Sequence, residues 1–451
     1  MDKRLKENIM KKTLVKYPYL TKDVEIYERE NGHKIVFAHK EGDMVNISSW
    51  VRTGSINENE KNNGVSHFLE HLMFKGTHKH KAGYFDRTLE AKGAIVNAAT
   101  WKDYTFYYVT LPKGEGCKDF YEALELHADM MLDPVLPEDE IGKEFDLNDN
   151  TVTDKRERHV VIEEIRMCKD RPWTKVYNQA NFNMYTKHPY KRDVIGTPEI
   201  ISQISQTEIM NYYKTHYTPN NVTTIVVGDF NHEEVLDKIC KEFDWKGREN
   251  FENPVFEIDK PTAKTLYFES TANVNTGFLM FGYLTCPANN IKESIIMDIV
   301  NMMLGEGTSS RFYQNLIEKA KEPVFNMAEC DYYQFRDGNT FFAEANFRPE
   351  KKEQAIELLK QEIEKIKTTV SEDEFKKAVK KTKAEFAFKA ETVSEISDTI
   401  GNYMTVCNNL TLVENYLDIL SKITIEDVQE TAKKYLNINN AVISVLMPEK
   451  Q

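Results

Sequence analysis

The sequence predicts an α+β protein of two homologous domains, each a mainly antiparallel sheet covered by helices on one face. Three observations carry that prediction. A chain of 451 residues is longer than one hydrophobic core usually serves. The chain also repeats itself. Residues 204–209 (ISQTEI) run through Pro219, Asn220 and Asn221 into 222–228 (VTTIVVG), while 423–428 (ITIEDV) run through Asn439 and Asn440 into 441–446 (AVISVL). Both read as a capped helix, an asparagine turn and a β-branched strand. Nearer the start of each half, MFKGT (73–77) matches MLGEGT (303–308), and FDRTLEAK (85–92) matches FYQNLIEK (312–319). The offset between copies drifts, as it does when loops change length. Finally, strand pairs are followed by helices instead of alternating strictly with them, the pattern of α+β layers.

Element by element, residues 34–39 and 44–52 alternate as strands, and 104–111 read as another. Residues 120–132 and 353–368 carry apolar side chains at three- and four-residue steps, so helices are expected there. The join falls at 246–263, where Pro254, Pro261 and many charges interrupt any periodicity. Domains are therefore expected at 1–245 and 264–451. An apolar content of 41% excludes a mainly disordered chain. A net charge of −13 argues against nucleic-acid binding, which wants a basic surface. No apolar run approaches the roughly 18 residues of a membrane span. The first twenty residues lack a signal-peptide core, and Asp2 and Glu7 oppose a transit peptide. Six scattered cysteines with no CxxC spacing suit a reducing compartment, so a cytoplasmic location is expected.

One motif carries chemistry. His67-x-x-Glu70-His71 lies among the helix-compatible Phe68, Leu69, Leu72 and Met73, with Ser66 as the candidate cap. On a helix His67 and His71 stand one turn apart on one face, so both imidazoles reach one ion. Glu70 is then close enough to an attacking water to take its proton. This is the reversed order of the H-E-x-x-H zinc motif. A catalytic zinc needs a third protein ligand, and residues 157–166 offer adjacent Glu163 and Glu164. Helical phase places Glu164 with Val160, Val161 and Cys168, facing inward, and Glu163 with Arg156, His159 and Arg166, facing solvent. An inward carboxylate is paired or binds metal, so Glu164 is the expected ligand. Glu157, two turns earlier on the same stripe, suits a carboxylate that orients a ligand histidine.

The stretches HFLEHLMFKGT, VNAATWKDYTFYY, ERHVVIEEI, HPYKRDVIGTPEII and YTPNNVTTIVVGD resemble the pitrilysin, insulysin and mitochondrial-processing-peptidase family. The size and single pair of halves resemble its processing-peptidase-like branch. That resemblance implies two homologous α+β domains per chain and two chains forming a clam-like dimer chamber. It implies one Zn2+ per chain on His67, His71 and Glu164, with Glu70 as general base. It further implies that a peptide adds as a strand along a sheet edge, here residues 93–100, with Asn97 and Ala98 at the substrate-contacting positions.

The chain also departs from the family pattern. Residues 143–155 lengthen the separation of His71 from Glu164 and read as a polar loop, either functional or passive. By the repeat, Asp298, Asn301 and Met302 stand where His67, Glu70 and His71 would map, so the second half is expected to lack a metal site. Arg311 is the candidate for the arginine that steadies the substrate carbonyl, the alternative being a plain surface cation. Phe325 lacks the hydroxyl of the tyrosine that accompanies it in the family, which points to a partner subunit for that group. The expected function is a zinc metalloendopeptidase acting on peptides or unstructured leader segments, as a homodimer or with a homologous zinc-free subunit. The rival is a non-catalytic or partner-dependent assembly subunit.

Overall fold

The computed structural model describes residues 9–142 and 156–449; the stretch 143–155, with its expected loop, lies outside the described residues. The strands are β1 (Ile9–Val15), β2 (Val24–Arg29), β3 (Lys34–His39), β4 (Met44–Val51), β5 (Ile95–Thr100), β6 (Thr105–Pro112), β7 (Val222–Gly228), β8 (Leu266–Ala272), β9 (Gly277–Leu284), β10 (Phe325–Tyr333), β11 (Thr340–Phe347) and β12 (Val442–Pro448). The helices that matter below are α1 (Val65–Met73), α2 (Lys118–Leu132), α3 (Glu157–Asp170), α4 (Pro172–Met184), α5 (Gln206–His216), α6 (Ile291–Leu304), α7 (Lys352–Lys365), α8 (Glu372–Phe388), α9 (Val393–Thr405) and α10 (Ile425–Tyr435).

A seven-stranded sheet runs β1-β2-β3-β7-β4-β6-β5, and a five-stranded one runs β10-β11-β9-β12-β8. From β3 onward the first reads as the second in reverse. Strand β3 pairs parallel with β7, and β8 pairs parallel with β12. The remaining neighbours in both sets are antiparallel. The internal repeat seen in the sequence is thus a repeat of topology. Its helix–turn–strand element folds the same way twice. Ser205 and Glu208 form a capping box on α5 before β7, and Thr424 and Asp427 form one on α10 before β12.

The compact units do not coincide with the contiguous spans 1–245 and 264–451. The first comprises residues 1–166, 192–255 and 388–414; the second comprises 167–191, 256–387 and 415–451. Each half therefore lends one helix to the other unit. In the first unit α9 lies on β4 and β7, where Ser397 meets Ser48 at 2.7 Å. Gly401 sits against Trp50, so that a Cβ there would come within 1.9 Å of the indole. In the second unit α4 lies on β9 and β12, with Trp173 edge-on to Phe278 and the Met184 sulfur over Gly282.

In the first unit the exchanged helix lies on the face of β4 opposite its apolar core. In the first unit the side chains of Val45, Ile47 and Val51 face a core that includes Phe68, Leu69, Leu124 and Leu126. Ser48 and Trp50, on the opposite face of β4, are buried and lie against α9. On β4 this second cover comes from far along the chain.

Because the Gly401 contact leaves no room for a methyl group, Gly401→Ala should lower the unfolding free energy by about 1–3 kcal/mol. Urea denaturation measures this, and unchanged stability would mean that α9 does not press on Trp50.

Candidate metal centre

Helix α1 buries Val65, Phe68, Leu69, Leu72 and Met73, which turns its histidine face away from the core. The chain enters it through Gly64 at φ 96°, a left-handed conformation, where a Cβ would also stand 2.7 Å from the Ile195 carbonyl oxygen. The buried carboxylate of Glu58 accepts hydrogen bonds from the N–H groups of Gly64 (2.7 Å) and Ser66 (2.9 Å) and from the Asn63 amide (2.8 Å). It thus satisfies otherwise unpaired donors and opposes the helix dipole. Ser66 is not the cap expected of it: it lies in the first turn, and its hydroxyl meets the Tyr212 hydroxyl at 2.8 Å.

The rings of His67 and His71 stand edge to face with centroids 4.7 Å apart. Glu164 Oε2 lies 3.7 Å from His67 Nε2 and 3.4 Å from His71 Nε2. One ligand atom from each of the three falls within 4.8 Å of the others, and among the described residues no other His, Cys, Asp or Glu trio does so. Two imidazole nitrogens and one carboxylate are donors of the type that suits zinc. The opposite nitrogen of His71 faces Glu157 Oε2 at 3.1 Å, and Lys75 pairs with the other oxygen of Glu157.

On α3 the buried stripe is Arg158, Val161, Ile162 and Ile165. Val160, expected inward, is 43% exposed. The inward face is therefore rotated slightly from that inferred, leaving Glu157, Val160 and Glu164 along its margin, half-open to the site. Glu163 is exposed and pairs with Arg166 at 2.6 Å.

Glu70 is buried and accepts a hydrogen bond from Thr100 Oγ1 at 2.5 Å. Thr100 ends β5, the edge strand of the first sheet. On that strand Asn97 is exposed and Ala98 half-buried, and the Ala98 N–H donates to Asn97 Oδ1 at 2.9 Å. Arg311 belongs to the second unit. It is buried and committed within that unit, donating to both Glu374 oxygens and to the Thr369 carbonyl, so it is not a plain surface cation. Asp298, in α6, accepts from Gln334 Nε2 at 3.2 Å. Sequence reading overlooked Glu58, Lys75 and Thr100. Each is an ordinary polar residue whose partner lies elsewhere in the chain, so no local period singles it out.

The electrostatics divide the two imidazoles. Burial and the neighbouring His71 charge hold His67 down to about 4. Burial also opposes charge on His71, but hydrogen bonds to Glu157 and Glu164 outweigh it and raise this histidine to about 9. Burial pushes the Glu70 carboxyl up, against the pull of the Thr100 hydroxyl.

Comparison with known proteins matches residues 34–198 to the family described as insulinase (peptidase family M16), and residues 203–382 to the peptidase M16 inactive domain. Zinc protease PqqE of Helicobacter pylori is 27% identical over 93% of this chain and 91% of its own length. The uncharacterized zinc protease YmxG of Bacillus subtilis is 30% identical over 65% of this chain and 67% of its own. The human mitochondrial-processing peptidase subunit beta is 24% identical over 90% and 80% respectively. A solved Helicobacter pylori protease superposes with a TM-score of 0.82 at 25% identity, covering 98% of this chain and all of that one. Among the described residues no helix is long and apolar enough to cross a membrane.

Glu164→Ala should abolish stoichiometric zinc binding while Glu163→Ala leaves it intact; metal analysis after dialysis reads both, and the reverse result would reassign the ligand. A second expectation concerns pH. Metal needs neutral imidazoles, His67 is already neutral at pH 7, and His71 is protonated until about pH 9. Zinc uptake at pH 7 should therefore release close to one proton from His71. Apparent affinity should rise about tenfold per pH unit until His71 is neutral. Calorimetry in buffers of different ionisation enthalpy measures that release, and uptake without it would contradict the charged His71.

Proposed function

The chain belongs to peptidase family M16, and from that premise we propose that it is a zinc-dependent endopeptidase acting on peptides or unstructured leader segments. The observation that carries this reading is the convergence of His67, His71 and Glu164 beside the carboxylate of Glu70. His67, His71 and Glu164 would hold the ion, which when bound supplies Lewis acidity to the scissile carbonyl and acidifies the attacking water. Glu157 orients His71 through its Nδ1 and fixes which nitrogen faces the ion. Glu70 takes the proton of the attacking water and returns it to the departing amine.

The open edge of β5 is where a peptide backbone adds as a strand. Asn97 and Ala98 would contact it, with the outward N–H of Ala98 exchanging its own side-chain partner for a peptide carbonyl. The intramolecular commitments of Arg311 favour a carbonyl-steadying group from elsewhere, in keeping with a dimer of two such chains or with a homologous zinc-free subunit enclosing a chamber. The similarity to a protein named as a subunit of the mitochondrial-processing peptidase supports the second arrangement. Six scattered cysteines with no CxxC spacing fit a reducing, cytoplasmic setting.

The test is cleavage of an unfolded peptide library by the purified chain, with and without chelator, alongside its mass in solution. Glu70→Gln should keep zinc and lose at least a hundredfold in kcat. Full activity in that variant, or wild-type cleavage indifferent to chelator, would overturn the mechanism. Inactivity rescued by a zinc-free homologue would instead establish the partner-dependent form.

A further inference from the structure

Glu70 has three rotatable side-chain bonds, and a general base works only when its carboxylate is aimed. Among the described residues the hydrogen bond that aims it comes from Thr100, at 2.5 Å. A hydroxyl owns one proton. With that proton on Glu70 Oε2, Thr100 is left to accept, and Thr105 Oγ1 lies 3.5 Å away, itself donating to the Thr53 carbonyl at 3.0 Å. Thr100 and Thr105 are paired across β5 and β6, so the donor is mounted on a two-strand ladder that cannot easily turn. Occupation of Oε2 leaves Oε1 as the oxygen open to water.

We propose that Thr100 is a positioning residue for proton transfer, its hydroxyl holding Glu70 in the one orientation that presents a free carboxylate oxygen to the attacking water. The inference rests on the reading of Glu70 as general base. It also ties substrate seating to chemistry. Thr100 is two residues beyond Ala98 on the strand proposed to receive the peptide, about 7 Å along it. One rigid element would then place both the scissile bond and the base.

The experiment compares Thr100→Val, isosteric but without a donor, with Thr100→Ser, which keeps the donor, in the zinc-loaded full chain acting on an unfolded peptide. Thr100→Val should lower kcat by about ten- to a hundredfold, with KM, zinc content and the affinity of an uncleaved peptide in a Glu70→Gln background unchanged. Thr100→Ser should restore most of the rate. Thr100→Ala is the second donor-free variant, should valine disturb folding. Full kcat in both donor-free variants would overturn the inference while leaving the peptidase reading intact. So would a loss spread equally over KM and zinc content, or a serine variant no better than valine. A wild-type chain with no chelator-sensitive cleavage would remove the peptidase reading and this inference together.

Discussion

One imidazole is gripped from both sides by carboxylates of a single helix. Glu157 meets His71 at Nδ1 and Glu164 meets it at Nε2, 3.1 Å and 3.4 Å away. The two carboxylates are seven residues apart, two turns of α3, so the helix presents them on one margin with the histidine between. Such a concentration of acceptors and ligand nitrogens is costly unless a positive charge sits among them. Hydrogen bonds to Glu157 and Glu164 favour that charge on His71, and Lys75 adds its own beside Glu157.

Holding α1 in place falls to groups that do no chemistry. Glu58 ties off its N-terminus, Gly64 supplies the left-handed entry, and Tyr212 of α5 secures Ser66. Burial of Phe68, Leu69 and Leu72 then sets the helix's rotation, which decides where His67, Glu70 and His71 point. On the other side β5 brings Thr100 to Glu70. The site is thus assembled between a helix anchored at its start and a strand anchored by its neighbour, the kind of rigid support that holds a catalytic group within a fraction of an ångström.

The reciprocal loan of α4 and α9 follows from the repeat itself. In each unit one helix on the central strands comes from the other half of the chain. Because the two halves share a plan, the helix after α3 and the helix after α8 fill equivalent places in opposite units. A pattern of apolar residues shows that a helix has a buried face, but it does not say which sheet that face meets. That is why the chain-contiguous domains at 1–245 and 264–451 differ from the packed ones.

The legibility of the rest follows the range of the interaction. Spacing alone put His67, Glu70 and His71 on one helix face, because a turn of helix is a local, periodic object. The repeat, the capping boxes and the β-branched strands were local too, and so was the separation of Glu164 from Glu163. The phase of α3 was less readable, since Val160 is apolar yet exposed and Arg158 is charged yet buried, donating to the carbonyls of Ser202 and Ile204. Arg311 looked free in a sequence that does not show Glu374 lying across from it. By itself the sequence determined the fold class, the doubled plan and the metal-binding motif, all written in short-range periodicity. Only tertiary structure decided which sheet each borrowed helix covers, which carboxylate reaches His71, and that Thr100 touches Glu70. Those contacts join residues dozens to hundreds of positions apart, and no local pattern encodes them.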